Sequence, residues 1–179
     1  MKNIFLLSYS LLILFSACKK EVTELPPETQ TGANTFGAKI NGEFWAPQGF
    51  GPFPANDILE ARLMPDKDLY INARNFASSP NESEFQIFLK NVSTMGIYPL
   101  NTTVTFPSSA ANHVYFVKRN ITPKNEWLTS ASHTGAVTIT RIDTMALIVS
   151  GTFQFSALNI NNSPEPITIT EGRFDIKMR

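Results

Sequence analysis

The chain predicts an all-β domain, a β-sandwich or open β-barrel of about ten mostly antiparallel strands. Three observations carry that expectation. From Thr35 to the end, apolar residues recur at every second position in short runs. Those runs are bounded by Gly, Pro, Asn and Asp, the residues of tight turns. No stretch of useful length shows the three-to-four spacing of an amphipathic helix.

The elements follow in order. Phe36, Ala38 and Ile40 alternate with Gly37 and Lys39, then Asn41-Gly42 gives the strongest short hairpin signal. Glu43 to Ala46 returns and stops at Pro47. Leu59, Ala61 and Leu63 form the next strand, and Pro65-Asp66-Lys67-Asp68 turns it into Leu69, Ile71 and Ala73. Phe85, Ile87 and Leu89 make another, with a short strand expected at Val104 and Phe106. Val114 and Phe116 lie opposite Tyr115 and Val117, a segment apolar on both faces. Val137 and Ile139 alternate with threonines before a turn at Arg141 to Thr144. Met145, Leu147, Val149, Gly151, Phe153, Phe155 and Ala157 then hold one parity and predict a long strand. Ile167 and Ile169 share one parity, whereas Phe174, Ile176 and Met178 share the other. The switch at Glu171-Gly172 predicts a bulge with Gly172 as the extra residue, because a one-residue slip otherwise turns the apolar set to water.

Ahead of this domain lies a different composition. Lys2 precedes an apolar run from Ile4 to Phe15, followed by Ser16-Ala17-Cys18. The run is shorter than the ~20 residues a spanning helix needs. The layout predicts a lipoprotein signal peptide over 1–17, with Cys18 as the acylated N-terminus. Phe15 departs from the leucine usual three residues before that cysteine. A short buried helix with an incidental cysteine, or cleavage without lipid, are the alternatives. Residues 18–34 are polar and hold Pro26-Pro27, and predict a flexible, solvated tether. The β domain is then 35–179.

Composition narrows the function classes. Lys plus Arg and Asp plus Glu number 15 each, for zero formal net charge. Without a basic excess, nucleic acid is not an expected partner. Cys18 is the single cysteine, so no internal disulfide is expected although an exported protein could hold one. The expected membrane partner is the bilayer, reached through lipid on Cys18. An outer-membrane location is expected, facing either the periplasm or the cell surface, because Lys19-Lys20-Glu21 is too short an acidic signal to choose.

Leu25-Pro26-Pro27-Glu28-Thr29-Gln30-Thr31-Gly32-Ala33-Asn34-Thr35-Phe36-Gly37, then Asn41-Gly42 and Trp45, form a distinctive opening, and Ile167-Thr168-Ile169-Thr170-Glu171-Gly172-Arg173-Phe174-Asp175 a distinctive close. Both resemble a group of uncharacterised Bacteroidota lipoproteins. The resemblance covers the two ends and not the middle. It implies a small secreted β domain of unknown function and supplies no catalytic residues. Many of those relatives carry cysteine at the position of Ala38, so a disulfide found among them is not expected here.

Each candidate site residue also has an ordinary structural role open to it. His113 and His133 lack the close His or Cys neighbours of a zinc site, and no G-x-S-x-G elbow accompanies a serine. No catalytic residue, metal or cofactor is expected. Glu60, Glu84, Glu171 and Asp175 lie in strand-like segments, where a hydrolase would need two carboxylates converging on one face. Asp66-Lys67-Asp68 is too poor in ligands for calcium. Trp45, Phe50 and Phe53 fall in a Gly/Pro-rich segment, and Trp127 in Asn125-Glu126-Trp127-Leu128. As exposed rings they would contact a glycan or a partner protein; as a lid they would close the core. Asp143-Thr144-Met145 fits a bacterial O-glycosylation sequon at Thr144. The expected function is a non-enzymatic binding or structural domain at the envelope. The alternatives are a carboxylate-dependent hydrolase and a small-ligand carrier with a barrel cavity.

Overall fold

The computed structural model describes residues 21–49, 57–77, 81–119, 125–161 and 165–179. Among these the fold is all-β, with no helix. The strands are β1 (Thr35–Ile40), β2 (Glu43–Trp45), β3 (Leu59–Leu63), β4 (Leu69–Asn75), β5 (Ser83–Leu89) and β6 (Gly96–Pro99). They continue as β7 (His113–Lys118), β8 (Asn125–Leu128), β9 (Gly135–Asp143), β10 (Ile148–Asn159) and β11 (Ile167–Lys177). All 11 belong to one sheet in the order β2-β1-β11-β10-β8-β7-β5-β4-β3, with β9 also on β10 and β6 on β9.

The sheet curls into a half-barrel whose ends approach each other. Gln48, just past β2, accepts from Phe76 N at 2.8 Å and bridges Asn75 at the end of β4. Arg179 N donates to Ala61 O of β3 at 3.0 Å. The period-two apolar set fills the interior. Phe36 meets Phe85 with ring centroids 5.7 Å apart, so β1 and β5 face each other across the core. Offset and edge-on aromatic pairs of this kind add to the burial of apolar area.

The Asn41-Gly42 turn forms as expected, with φ of 50° and 90° and Ile40 opposite Glu43. The bulge also forms in β11. Two steps on β10, Phe153 to Phe155, face three on β11, Gly172 to Ile169. Two steps on β1, Gly37 to Lys39, likewise face Arg173 to Thr170. The left-handed residue is Glu171 at φ 52°, rather than Gly172. Gly172 is required for a different reason: a Cβ there would lie 2.4 Å from the Phe153 ring.

Other expectations are corrected. Met145 and Leu147 sit in the exposed turn before β10, because β9 runs on to Asp143 and the Asp143 carboxylate caps the N–H groups of Met145 and Ala146. Val104 and Phe106 form no strand. They lie on the outer side of β7, where the Phe106 ring stacks on Tyr115 at 3.8 Å and 3°. That contact explains why β7 is apolar on both faces.

The largest correction concerns the expected tether. From Leu25 onward it is a strap crossing the outer face of β1, β11, β10 and β9. Pro26 packs on Gly37, where a Cβ would meet it at 2.6 Å. Asp175, on the outward parity of β11 yet 1% exposed, accepts from Thr29 Oγ1 at 2.6 Å, Gly32 N at 2.8 Å, Thr31 N at 2.9 Å and Ala33 N at 3.1 Å. Ser150 Oγ of β10 donates to the same carboxylate at 2.7 Å, and Arg141 of β9 reaches the carbonyl of Gln30. A buried carboxylate without donors is costly, so the strap and Asp175 require each other.

Candidate functional site

Strand parity decides which side chains face outward on the β3–β4–β5 portion of the sheet. Leu69, Ile71 and Ala73 point into the core, so Tyr70, Asn72 and Arg74 point out. By the same rule β3 presents Glu60 and Arg62, and β5 presents Glu84, Gln86 and Phe88. Register aligns them in rows: Glu60, Asn72 and Gln86 in one, Arg74 and Glu84 in the next, and Arg62, Tyr70 and Phe88 in the third.

These side chains hold one another. Glu84 is 7% exposed and accepts from Arg119 Nη2 at 2.9 Å, Gln86 Nε2 at 3.0 Å and Arg74 Nε at 3.4 Å. Burial opposes its charge. Hydrogen bonds from Arg119, Gln86 and Asn72, with the charge of Arg74, outweigh that cost and hold the carboxyl below its ordinary range. Burial and the nearby Glu84 charge push the Tyr70 phenol upward, so it stays neutral. Arg74 also donates to Asp57 O at 3.0 Å, and Arg62 pairs with Glu60. Asn72 is 4% exposed, and its Oδ1 accepts from no protein donor among the described residues. The result is a patch of planar, pre-set polar side chains beside one tyrosine ring.

Tyr70, Arg74 and Gln86 of this patch are half-buried, whereas Asn72 and Glu84 are buried; other outer faces are covered. The strap lies over β1, β11, β10 and β9. The segment holding Val104 and Phe106 lies over Tyr115, Val117 and Leu128 of β7 and β8. Tyr115 itself is pushed upward by burial and by its 2.6 Å hydrogen bond to Glu126. A groove of about 1280 Å³ separates the strap's first residues from Pro47 to Gly49, Asp57 to Leu59 and the C-terminal turn. Its apolar walls include Leu25, Pro26, Ile58 and Met178, and its described rim stops at Gly49 and Asp57.

The residues singled out from sequence are dispersed. Trp45 is 8% exposed and donates through Nε1 to Ser83 Oγ at 2.8 Å; Trp127 is 9% exposed and donates to Glu165 O at 3.2 Å. Both rings belong to the core, so neither is a ligand platform: Trp45 stands edge-on to Phe85, and Trp127 packs on Phe116. Phe50 and Phe53, like Cys18, lie outside the described residues. Thr144 is exposed at the start of its turn.

Each of the four acids has partners of its own. Asp175 serves the strap, Glu171 pairs with Lys39 at 2.6 Å, Glu60 with Arg62, and Glu84 with Arg74 and Arg119. No group of three or more His, Cys, Asp or Glu among the described residues is placed to hold a metal. His113 is buried beside Phe88 and Phe106, with Nδ1 3.0 Å from Ala111 O. Burial lowers its pKa, and that carbonyl offsets the effect only in part. His133 contacts neighbouring Ser132 at 3.1 Å in an exposed turn, a local hydrogen bond.

Sequence reasoning noted Glu60 and Glu84 but missed the patch around them. The available signal was the polar parity of β3 to β5, Glu60-x-Arg62, Tyr70-x-Asn72-x-Arg74 and Glu84-x-Gln86, which mixes charge, amide and aromatic where a plain solvated face carries Lys, Glu and Thr. No curated protein and no solved structure matches the chain. Residues 33–175, the barrel without most of its strap, match the model of a family described as a domain of unknown function, DUF6252. The chain therefore belongs to the DUF6252 family.

Proposed function

We propose that this chain is a lipid-anchored protein of the bacterial outer membrane whose barrel binds a hydroxyl-rich ligand, a glycan, on the outer face of β3, β4 and β5. The observation that carries the binding reading is the polar patch of half-buried Tyr70, Arg74 and Gln86 with buried Asn72 and Glu84, ordered by its own hydrogen bonds. A pre-set array loses little side-chain entropy when it binds, and planar amide, carboxylate and guanidinium groups suit paired sugar hydroxyls. A tyrosine ring beside them offers an apolar face for a sugar ring. The anchor rests on the Ser16-Ala17-Cys18 signal and on the resemblance of both chain ends to Bacteroidota lipoproteins. Thr144, exposed in a capped turn, suits O-glycosylation, which a mass shift abolished by Thr144→Ala tests.

The test is a glycan array with the mature chain in detergent, beside Tyr70→Ala and Gln86→Ala. The expected result is retention of one glycan class, weakened about tenfold or more by either variant, a loss of ~1.4 kcal/mol. Glycan binding that both variants leave intact places the site elsewhere. Absence of glycan binding removes the glycan reading and leaves a structural role.

A further inference from the structure

Glu84 sets the direction of the two amides beside it. Gln86 Nε2 donates to its carboxylate at 3.0 Å, and Asn72 donates to it as well. Only the nitrogen end of an amide donates, so both side chains turn their oxygens away from Glu84. Asn72 and Gln86 stand opposite each other in the register of β4 and β5. Arg74 and Glu84 form the row on one side of them, and Tyr70 and Phe88 the row on the other. The two oxygens are therefore turned from the charged row toward the aromatic one.

One of these oxygens is an orphan. Asn72 is 4% exposed, solvent does not reach its Oδ1, and no protein donor among the described residues does either. A buried acceptor without a donor is costly, and buried polar groups are otherwise almost always paired. Tyr70, two residues earlier on β4, is half-buried. Its phenol makes no hydrogen bond among the described residues, so the ring can turn aside without breaking one.

The chemistry of the patch narrows what the missing donor is. Each of its carboxylates already has a guanidinium: Glu60 has Arg62, and Glu84 has Arg74 and Arg119. A ligand ammonium would meet those arginines and find no open counter-charge. A hydroxyl both gives and takes hydrogen bonds, and two acceptors use only half of that capacity. An amide N–H only gives. On a sugar that group is the acetamido substituent, whose methyl needs an apolar neighbour. Tyr70 and Phe88 supply it, one strand repeat of about 6.7 Å from Asn72 and Gln86.

We infer that the outer face of β3 to β5 selects N-acetylated amino sugars, the acetamido N–H donating to Asn72 Oδ1 while the methyl rests against Tyr70 and Phe88. This rests on the glycan reading of the same face and names the sugar class within it.

The experiment offers matched sugars to the mature chain in detergent: triacetylchitotriose against cellotriose, and methyl N-acetylgalactosaminide against methyl galactoside. Members of each pair differ only in the acetamido group. Binding of the acetylated member of one pair about tenfold or more tighter is expected, as for a site that reads a hydrogen-bonding group. Deacetylated chitotriose, which carries ammonium groups, is expected to bind no better than cellotriose. Asn72→Leu is expected to abolish the preference and to leave the urea midpoint at or above that of the unaltered chain, because the fold makes no use of that oxygen. Glycans bound without preference for the acetyl group overturn this inference and leave the glycan reading standing. Binding of no glycan overturns both. A preference that survives Asn72→Leu overturns the assignment to Asn72, and so does a midpoint well below that of the unaltered chain, which makes the amide a structural partner of Glu84.

Discussion

Asp175 is the residue on which two parts of the chain depend. Its carboxylate takes bonds from Thr29, Thr31, Gly32 and Ala33 of the strap and from Ser150 of β10. Burial works against its charge, but those donors hold its carboxyl well below the usual carboxylate range. Asp175→Asn keeps the shape, removes the charge and turns an amide toward N–H donors. We expect a loss of about 3 kcal/mol or more in denaturant unfolding, since bonds to a charged acceptor are replaced by facing donors. A loss below ~1 kcal/mol would mean that water already serves those donors. Gly172 gives a second single-residue test. Gly172→Ala brings a methyl to 2.4 Å from the Phe153 ring, which is itself wedged against Phe36 and Phe174. The expected cost is about 1–3 kcal/mol, the range for overpacking a filled core. Glu171→Gly, one residue earlier, is expected to cost far less despite its lost ion pair with Lys39. It relieves a left-handed residue at φ 52°, and exposed pairs contribute little.

At the scale of elements, the strap behaves as a twelfth segment of the sheet without being a strand. Its interactions are side-on, through N–H groups aimed at one carboxylate, so no apolar period marks it. That is why residues 21–34 read as solvent-bound linker: polar composition and two prolines describe both a free tether and a strap that packs by backbone. The strands themselves were legible, because parity is a direct print of an interior. Even the β11 bulge was visible as a parity switch, although which residue takes the positive φ was not. The short strands β6 and β8 escaped, having too few residues to show a period. The outward Tyr115 and Val117 were visible, but the sequence does not say that Phe106 covers them. Of the candidate site, only the acids were noticed. Aromatic residues drew attention to Trp45 and Trp127, and both fill the core, as a barrel rich in phenylalanine requires. The strap's dependence on Asp175 is testable as a coupling. Deleting residues 21–33 is expected to destabilise the barrel and to shrink the effect of Asp175→Asn to below ~1 kcal/mol, because the strap donors to that carboxylate are gone in both chains and Ser150 alone remains. Additive losses in a double-mutant cycle would show that the two are independent.

At the scale of the whole molecule, stability should fall in two acid windows, an upper one from buried His113 and a lower one to which Asp175 and Glu84 both contribute. His113 has its pKa lowered by burial among Phe88, Phe106 and the β7 backbone. In the unfolded chain it takes up a proton near its ordinary value of 6.5, whereas the folded barrel resists it. The unfolded state therefore binds more protons below that pH, and stability declines as pH drops from 6.5 toward the folded value, by at most about 1.4 kcal/mol per pH unit for one site. Asp175 acts lower. Its folded pKa is depressed, so its contribution is complete above the unfolded value of 3.8 and is lost as pH falls below it. Urea unfolding measured from pH 7.5 to 2.5 is expected to show both declines. His113→Phe should flatten the upper one and leave the lower, since a phenyl ring fits beside the two existing rings and carries no proton. Asp175→Asn should do the reverse, lowering stability at neutral pH while removing part of the loss below pH 4. If His113→Phe leaves the slope between pH 6.5 and 5 unchanged, the buried histidine is already reached by water and the loop carrying Phe106 does not seal the outer face of β7. That result would also extend the polar patch from β5 across to β7 and enlarge the area available to a ligand.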